Sequence, residues 1–167
     1  GDTGGTVTLY VSASATFTDV LREIDEQYTR THPGVTIVAN FASAGTIQTQ
    51  IEQGAPCDVF VSAGARQMDN LQSGGLVLDG TRRDCLRNTI VLIVPRGSDL
   101  GLTDCSGLTR ANVRRGAMGD PASVSSGAYG KQALERLGVY SRVQPKLLLC
   151  ADVRAALTYV ENGEVDA

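Results

Sequence analysis

A strand, a turn of small residues, a short helix and a second strand follow one another between Val35 and Ala63, and this alternation constrains the rest of the chain. The stretch reads VTIVANFASAGTIQTQIEQGAPCDVFVSA. Val35 to Phe41 is an apolar, largely β-branched run, and Ala42-Ser43-Ala44-Gly45 breaks it. Ile47 and Ile51 mark a short helix, Gly54-Ala55-Pro56 stops it, and Asp58 to Ser62 is a second strand. A strand that enters a helix through Ser, Ala and Gly points backbone N–H groups, at the positive end of the helix dipole, into one small space. Such a turn cradles an anion. It also serves as an ordinary β-α-β turn, for which serine and glycine are equally suited.

The same alternation continues in both directions. Thr6 to Val11 predicts a strand closed by Ser12-Ala13-Ser14-Ala15-Thr16. Phe17, Val20, Leu21, Ile24 and Tyr28 then mark an amphipathic helix packed on a sheet, capped by Ser14 or Thr16 and ended by His32-Pro33-Gly34. Beyond the central stretch, a helix begins near Arg66, with Met68 and Leu71, and stops at Ser73-Gly74-Gly75. Thr81-Arg82-Arg83 opens a short polar turn or helix. Ile90 to Val94 is a continuous apolar run ended by Pro95, which predicts a strand buried on both faces. Leu108 to Val113 suits a short helix, and Arg115 to Met118 a weak strand. Ser125-Ser126-Gly127 opens a helix with Tyr129, Ala133, Leu134 and Leu137. Lys146 to Cys150 is a last strand. Val153, Ala156, Leu157 and Val160 mark a last helix, capped by Asn162-Gly163. The pattern predicts an α/β fold with mostly parallel strands, and the run Asn88 to Pro95 is the expected crossing between two lobes.

Composition excludes several classes of function. A net charge of −3 argues against nucleic acid and anionic membranes as partners. No run approaches the ~18 apolar residues of a membrane span. Gly1-Asp2-Thr3-Gly4-Gly5 is expected to be a trimmed mature terminus, not a targeting peptide. Cys57, Cys85, Cys105 and Cys150 lack C-x-x-C spacing, which disfavours zinc and redox motifs. Cys57 is expected as a buried thiol, and one bridge among the other three is open in an oxidising compartment.

Three turns share one chemistry: Ser12-Ala13-Ser14, Ser43-Ala44-Gly45 and Ser125-Ser126-Gly127. Each holds hydroxyls and small residues and none holds a charged one. In open α/β sheets such turns gather outside the carboxyl ends of the strands, where ligands bind. Neutral donors suit an oxyanion carrying no proton, whereas a partly protonated phosphate also needs an acceptor. Three plain helix caps would give the same pattern. Enzyme readings have less to stand on. His32, the only histidine, lies beside a proline in a turn, and no G-x-S-x-G, Walker A or G-x-G-x-x-G occurs. Asp58 and Asp120 each sit at the edge of a strand, and Asp120, a turn aspartate before proline, suits local hydrogen bonding; Arg82, Arg83, Arg114 and Arg115 suit a solvated surface.

TLYVSASAT, FASAGTIQTQIEQGAPCDVFVSA, NTIVLIVPRGS, GDPASVSSGAYGKQALERLGV and ADVRAALTYVENGEVDA, in that order and spacing, resemble the periplasmic molybdate- and tungstate-binding proteins of ABC importers. The resemblance implies a two-lobed type II periplasmic-binding fold, with residues 1–87 as the first lobe and 88–167 as the second. It also implies a tetrahedral oxyanion, molybdate or tungstate, held between lobes without cofactor, directly bound metal or catalysis. The implied ligand contacts are Ser14, Ala44, Ser126 through its backbone N–H, and Val153 likewise. The family usually has serine at position 44, so Ser43 or Ser12 is the implied substitute for the missing hydroxyl. The chain stops before the family's returning strand and its ligand tyrosine. A first lobe so shortened is expected to expose a sheet edge that a second copy covers, unless the chain is a fragment. The implied partner is a membrane permease, and the implied location is periplasmic or extracellular, with or without an anchor in a removed N-terminal segment. The alternatives are a sensor or protein-interaction domain of the same fold and a binder of sulfate-like dianions.

Overall fold

A computed structural model describes residues 5–167. The Gly1–Gly4 start, read above as a trimmed terminus, lies outside the described residues. The chain forms two compact units that divide after Arg82, not at the expected boundary following Arg87.

The first unit is built on three parallel strands, β1 (Val7–Ser14), β2 (Val35–Ala42) and β3 (Val59–Val61), in the order β2-β1-β3. Val11 stands opposite both Ala39 and Val59, so β1 is the central strand. Helices α1 (Thr18–Thr31), α2 (Ala44–Glu52) and α3 (Ala65–Ser73) follow β1, β2 and β3 in turn. Successive residues of a strand face opposite sides of the sheet. Arg22 of α1 lies 5.7 Å over the Phe41 ring, while Asn40 donates to Gln50 of α2 at 2.8 Å, so α1 and α2 cover opposite faces. Ala13, Ile47 and Leu71 form the buried interior.

Two expectations fail here. Ser12-Ala13-Ser14 is not a turn after the strand; these residues are its last three, held in register against Asn40, Phe41 and Ala42. Neither Ser14 nor Thr16 caps α1, which begins after a single 3₁₀ turn (Ala15–Phe17) with Phe17 as its uncapped N-cap. The apolar stripe of α1 is also only partly covered, because Val20, Ile24 and Tyr28 stay exposed.

The second unit pairs β4 (Gly116–Gly119) with β5 (Leu147–Cys150) in parallel, with helices α4 (Ser125–Arg136), α5 (Tyr140–Val143) and α6 (Val153–Glu161). Its core gathers Leu108, Val113, Leu134, Val139, Val143 and Ala167. The tail joins the sheet. Ala117 N–H donates to Ala167 C=O and Asp166 N–H to Arg115 C=O, each at 2.9 Å. The expected helix over Leu108 to Val113 is a 3₁₀ segment instead (Cys105–Thr109), and Thr81-Arg82-Arg83 forms no helix.

The apolar run Ile90 to Val94 does not form the expected two-sided buried strand. Among the described residues it pairs with no strand; Leu92 packs against the core while Val91 is 70% exposed. Apolar character alone cannot bury both faces where only one meets packed side chains. The four cysteines are free thiols, so the bridge left open among Cys85, Cys105 and Cys150 is absent, and Cys57 is partly exposed rather than buried.

The tail has a pH signature. The Asp166 carboxylate accepts from Arg115 N–H at 2.9 Å and Arg114 N–H at 2.6 Å, and the bond from Arg115 is the main cause holding its pKa below the ordinary aspartate range. A group whose folded pKa is depressed stabilises the fold above its unfolded value, about 3.9, and that contribution fades as pH falls through the folded one. Asp166→Asn is therefore expected to melt below the parent at pH 6. The gap should narrow progressively once the pH drops under about 4. Melting curves across that range check it, and a gap independent of pH would contradict it.

Candidate functional site

From central β1 the chain crosses first to β2 on one side, then over to β3 on the other. That reversal is a topological switch point, and in open α/β sheets the crevice outside the carboxyl ends of the strands at such a point is where ligands sit. The residues there are Ser12 and Ser14 at the end of β1, Ser43 and Ala44 at the mouth of α2, and Ala63 just past β3.

Both β1 serines are buried, at 5% and 4% exposure, and both hydroxyl oxygens are used as acceptors. Ala63 N–H donates to Ser14 Oγ at 2.9 Å, and Asn40 Nδ2 donates to Ser12 Oγ at 3.4 Å. A hydroxyl has one proton as well as its lone pairs. For Ser12 and Ser14 no acceptor of that proton exists among the described residues. Ser14 stands in register with Ala42, one residue before the α2 N-cap. The N–H groups of Ala44 and Gly45, in the first turn of α2, have no acceptor there either, while Ala44 itself is 2% exposed. Ser43 differs. Its Oγ accepts from Thr46 N–H at 3.1 Å and pairs with Thr46 Oγ1 at 2.8 Å, so it acts as the helix cap with its hydroxyl engaged.

The second unit has two helix mouths at the carboxyl ends of its strands. At α4 the N-cap is Val124, which offers no side-chain oxygen, and the N–H groups of Ser125, Ser126 and Gly127 have no acceptor among the described residues. Gly127 lies so close to β4 that a Cβ there would stand 1.9 Å from the Gly119 carbonyl oxygen. At α6 the Asp152 carboxylate caps the helix, accepting from Arg154 N–H at 2.8 Å and Ala155 N–H at 2.9 Å. Among the described residues only Val153 N–H is left there, and it lies beside a negative charge. Burial first, then the Asp152 charge, pushes the Cys150 thiol upward, which keeps it protonated and unreactive.

Each unit thus carries donors at strand carboxyl ends: Ser12, Ser14 and Ala44 in the first, Ser126 and Val153 in the second. Ala63 and Ser125 were missed as individuals. Ala63 contributes only a backbone N–H, which no residue type reveals. Asp120 accepts from Ala122 N–H at 2.9 Å, a local turn bond, while Asp58 accepts from Tyr10 N–H at 2.8 Å and so ties the start of β3 to β1. His32 stacks on Tyr28 at the end of α1. Among the described residues no cluster of His, Cys, Asp and Glu could hold a metal ion, and no helix is long and apolar enough to cross a membrane.

Residues 9–167 match the sequence profile of the family described as bacterial extracellular solute-binding protein. The chain belongs to this family. It is a transport family rather than an enzyme family. YvgL of Bacillus subtilis (strain 168) is 40% identical over 161 residues, which is 96% of this chain and 61% of YvgL. The molybdate-binding protein ModA of Escherichia coli (strain K12) is 37% identical over 164 residues, 96% of this chain and 63% of ModA. The chain therefore spans about three fifths of the length of these relatives. The solved periplasmic molybdate-binding protein of Azotobacter vinelandii superposes with a TM-score of 0.76 at 26% identity, over 95% of this chain and 68% of that one. The fold is the type II periplasmic-binding fold expected from the sequence.

Proposed function

We propose that this chain binds a tetrahedral oxyanion, molybdate or tungstate, as the extracytoplasmic solute-binding component of an ABC importer, delivering it to a membrane permease. The observation that carries this reading is the Ser14 hydroxyl. It is buried at the carboxyl end of the central strand, its oxygen is fixed by Ala63 N–H, and its proton is unclaimed among the described residues, beside the open first turn of α2. Ser12, with its own unclaimed proton, and the N–H groups of Ala44 and Gly45 extend the donor set. Ser126 and Val153 offer uncharged N–H groups of the same kind at the helix mouths of the second unit.

All of these are donors without net charge, so binding energy comes from hydrogen bonds to the anion and from helix dipoles rather than from ion pairs. A fully deprotonated oxyanion satisfies such donors, whereas a proton on phosphate finds only the remaining lone pairs of neutral hydroxyls among them to accept it. The names of the relatives ModA and the Azotobacter protein point to molybdate within this chemical class. No residue in the set serves as nucleophile or base.

Calorimetric titration of the 167-residue chain with molybdate, tungstate, sulfate and phosphate tests the reading. The expected result is heat with molybdate and tungstate and none with phosphate. Binding of sulfate in preference to the two metal oxyanions would shift the proposal to a sulfate-type carrier. No heat with any of the four would remove the transport role and leave only the fold.

A further inference from the structure

We propose that the hydroxyl of Ser125, at the mouth of α4, is in its own right a donor to an oxyanion bound at that mouth. This rests on the oxyanion reading above and extends it from the backbone of the Ser125-Ser126-Gly127 turn to a side chain. Ser125 is 7% exposed, and its Oγ is the one buried side-chain polar atom among the described residues with no hydrogen-bond partner. Buried hydroxyls are nearly always paired, so an orphan needs a reason.

Local outlets are unused. A helical serine commonly bonds back to the carbonyl four residues earlier, but Ser125 makes no such bond to Pro121. As the first residue of α4 its side chain leans toward the helix N-terminus, where three N–H groups also lack acceptors. Val124 N–H and Ala128 N–H, on either side, are both satisfied, by Asp120 and Val124 carbonyls. The mouth of the helix cannot turn to find Ser125 another partner, because Gly127 is seated directly on the Gly119 carbonyl. What the site lacks is an acceptor with several lone pairs, and an oxyanion supplies one. Since Ser125 Oγ is tied to nothing, rotation about χ1 can bring it to that acceptor without breaking a bond.

The test uses the 167-residue chain with molybdate as the probe. Ser125→Ala and Ser125→Cys, the second keeping the volume but donating weakly, are titrated beside the parent and melted without anion. Both variants are expected to bind molybdate roughly tenfold more weakly, while their anion-free melting temperatures do not fall. Unchanged affinity overturns the assignment. So does an anion-free melting temperature several degrees lower, because the hydroxyl would then have a structural partner. A parent chain that binds no molybdate overturns the oxyanion reading itself, and this inference with it.

Discussion

Gly127→Ala is expected to be the most damaging single-methyl addition in the second unit. Replacing a helical glycine by alanine normally stabilises a protein by about 0.5–1 kcal/mol, because the chain loses less freedom on folding. Here the added Cβ would lie 1.9 Å from the Gly119 carbonyl oxygen, 2.5 Å from its carbon and 3.1 Å from the Asp120 carbonyl carbon. All three are backbone atoms, and they belong to the end of β4 and the turn after it, so no side chain can swing aside. Overpacking typically costs 1–3 kcal/mol, and backbone on both sides puts this site at or beyond the upper end. A loss of about 3 kcal/mol corresponds to a melting temperature lower by more than about 10 °C for a unit of this size. Gly130→Ala, one turn further along α4, is the control. Its Cβ would meet the Met118 sulfur at 3.0 Å, the far end of a flexible side chain. That variant should melt close to the parent. Equal effects at the two positions would mean that α4 does not rest on β4 through Gly127.

The contrast between these glycines shows what the sequence could reveal. G-D-P-A-S-V-S-S-G announces a strand end and a helix start, but nothing in it separates a glycine that touches a backbone from one that touches a methionine. Periodicity located α2, α3, α4 and α6 because their helical patterns are bounded by breakers such as Gly54-Ala55-Pro56 and Ser73-Gly74-Gly75. It failed at Ser12-Ala13-Ser14, where small residues with weak strand preference are carried into β1 by pairing with Asn40, Phe41 and Ala42, a tertiary effect that overrides propensity. It failed again at Ile90 to Val94, where a strongly apolar run keeps only Leu92 inward.

Within the site, the hydroxyl-bearing residues were legible and their division of labour was not. Ser43 and Ser14 look alike in the sequence as serines beside small residues. The structure makes Ser43 a helix cap whose hydroxyl is paired with that of Thr46, and among the described residues leaves the Ser14 proton without an acceptor. Asp152 looks like a good N-cap and is one, yet that same role sets a carboxylate beside Val153 N–H. A donor beside a carboxylate offers an anion less than a neutral donor such as the Ser14 hydroxyl does.

Ser14→Ala should therefore carry the largest penalty in affinity of any single hydroxyl removal. The substitution deletes the proton offered to the anion, and a hydrogen bond to a charged group contributes about 1.5–3 kcal/mol. Molybdate affinity is accordingly expected to fall about ten- to a hundredfold. It also strips Ala63 N–H of its acceptor, a part-buried bond of 2.9 Å, which lowers stability by about 1 kcal/mol. Ser43→Ala separates the two effects. Losing the cap should cost about 0.5–2 kcal/mol of stability, with molybdate affinity changed by no more than roughly threefold because that hydroxyl is already bonded to Thr46. Titration and melting of both variants distinguish a ligand donor from a structural serine. If Ser14→Ala bound molybdate as the parent does, or if Ser43→Ala lost more affinity than Ser14→Ala, the central-strand hydroxyl could not be the group that holds the anion. The donor set would then have to be rebuilt around the mouth of α2.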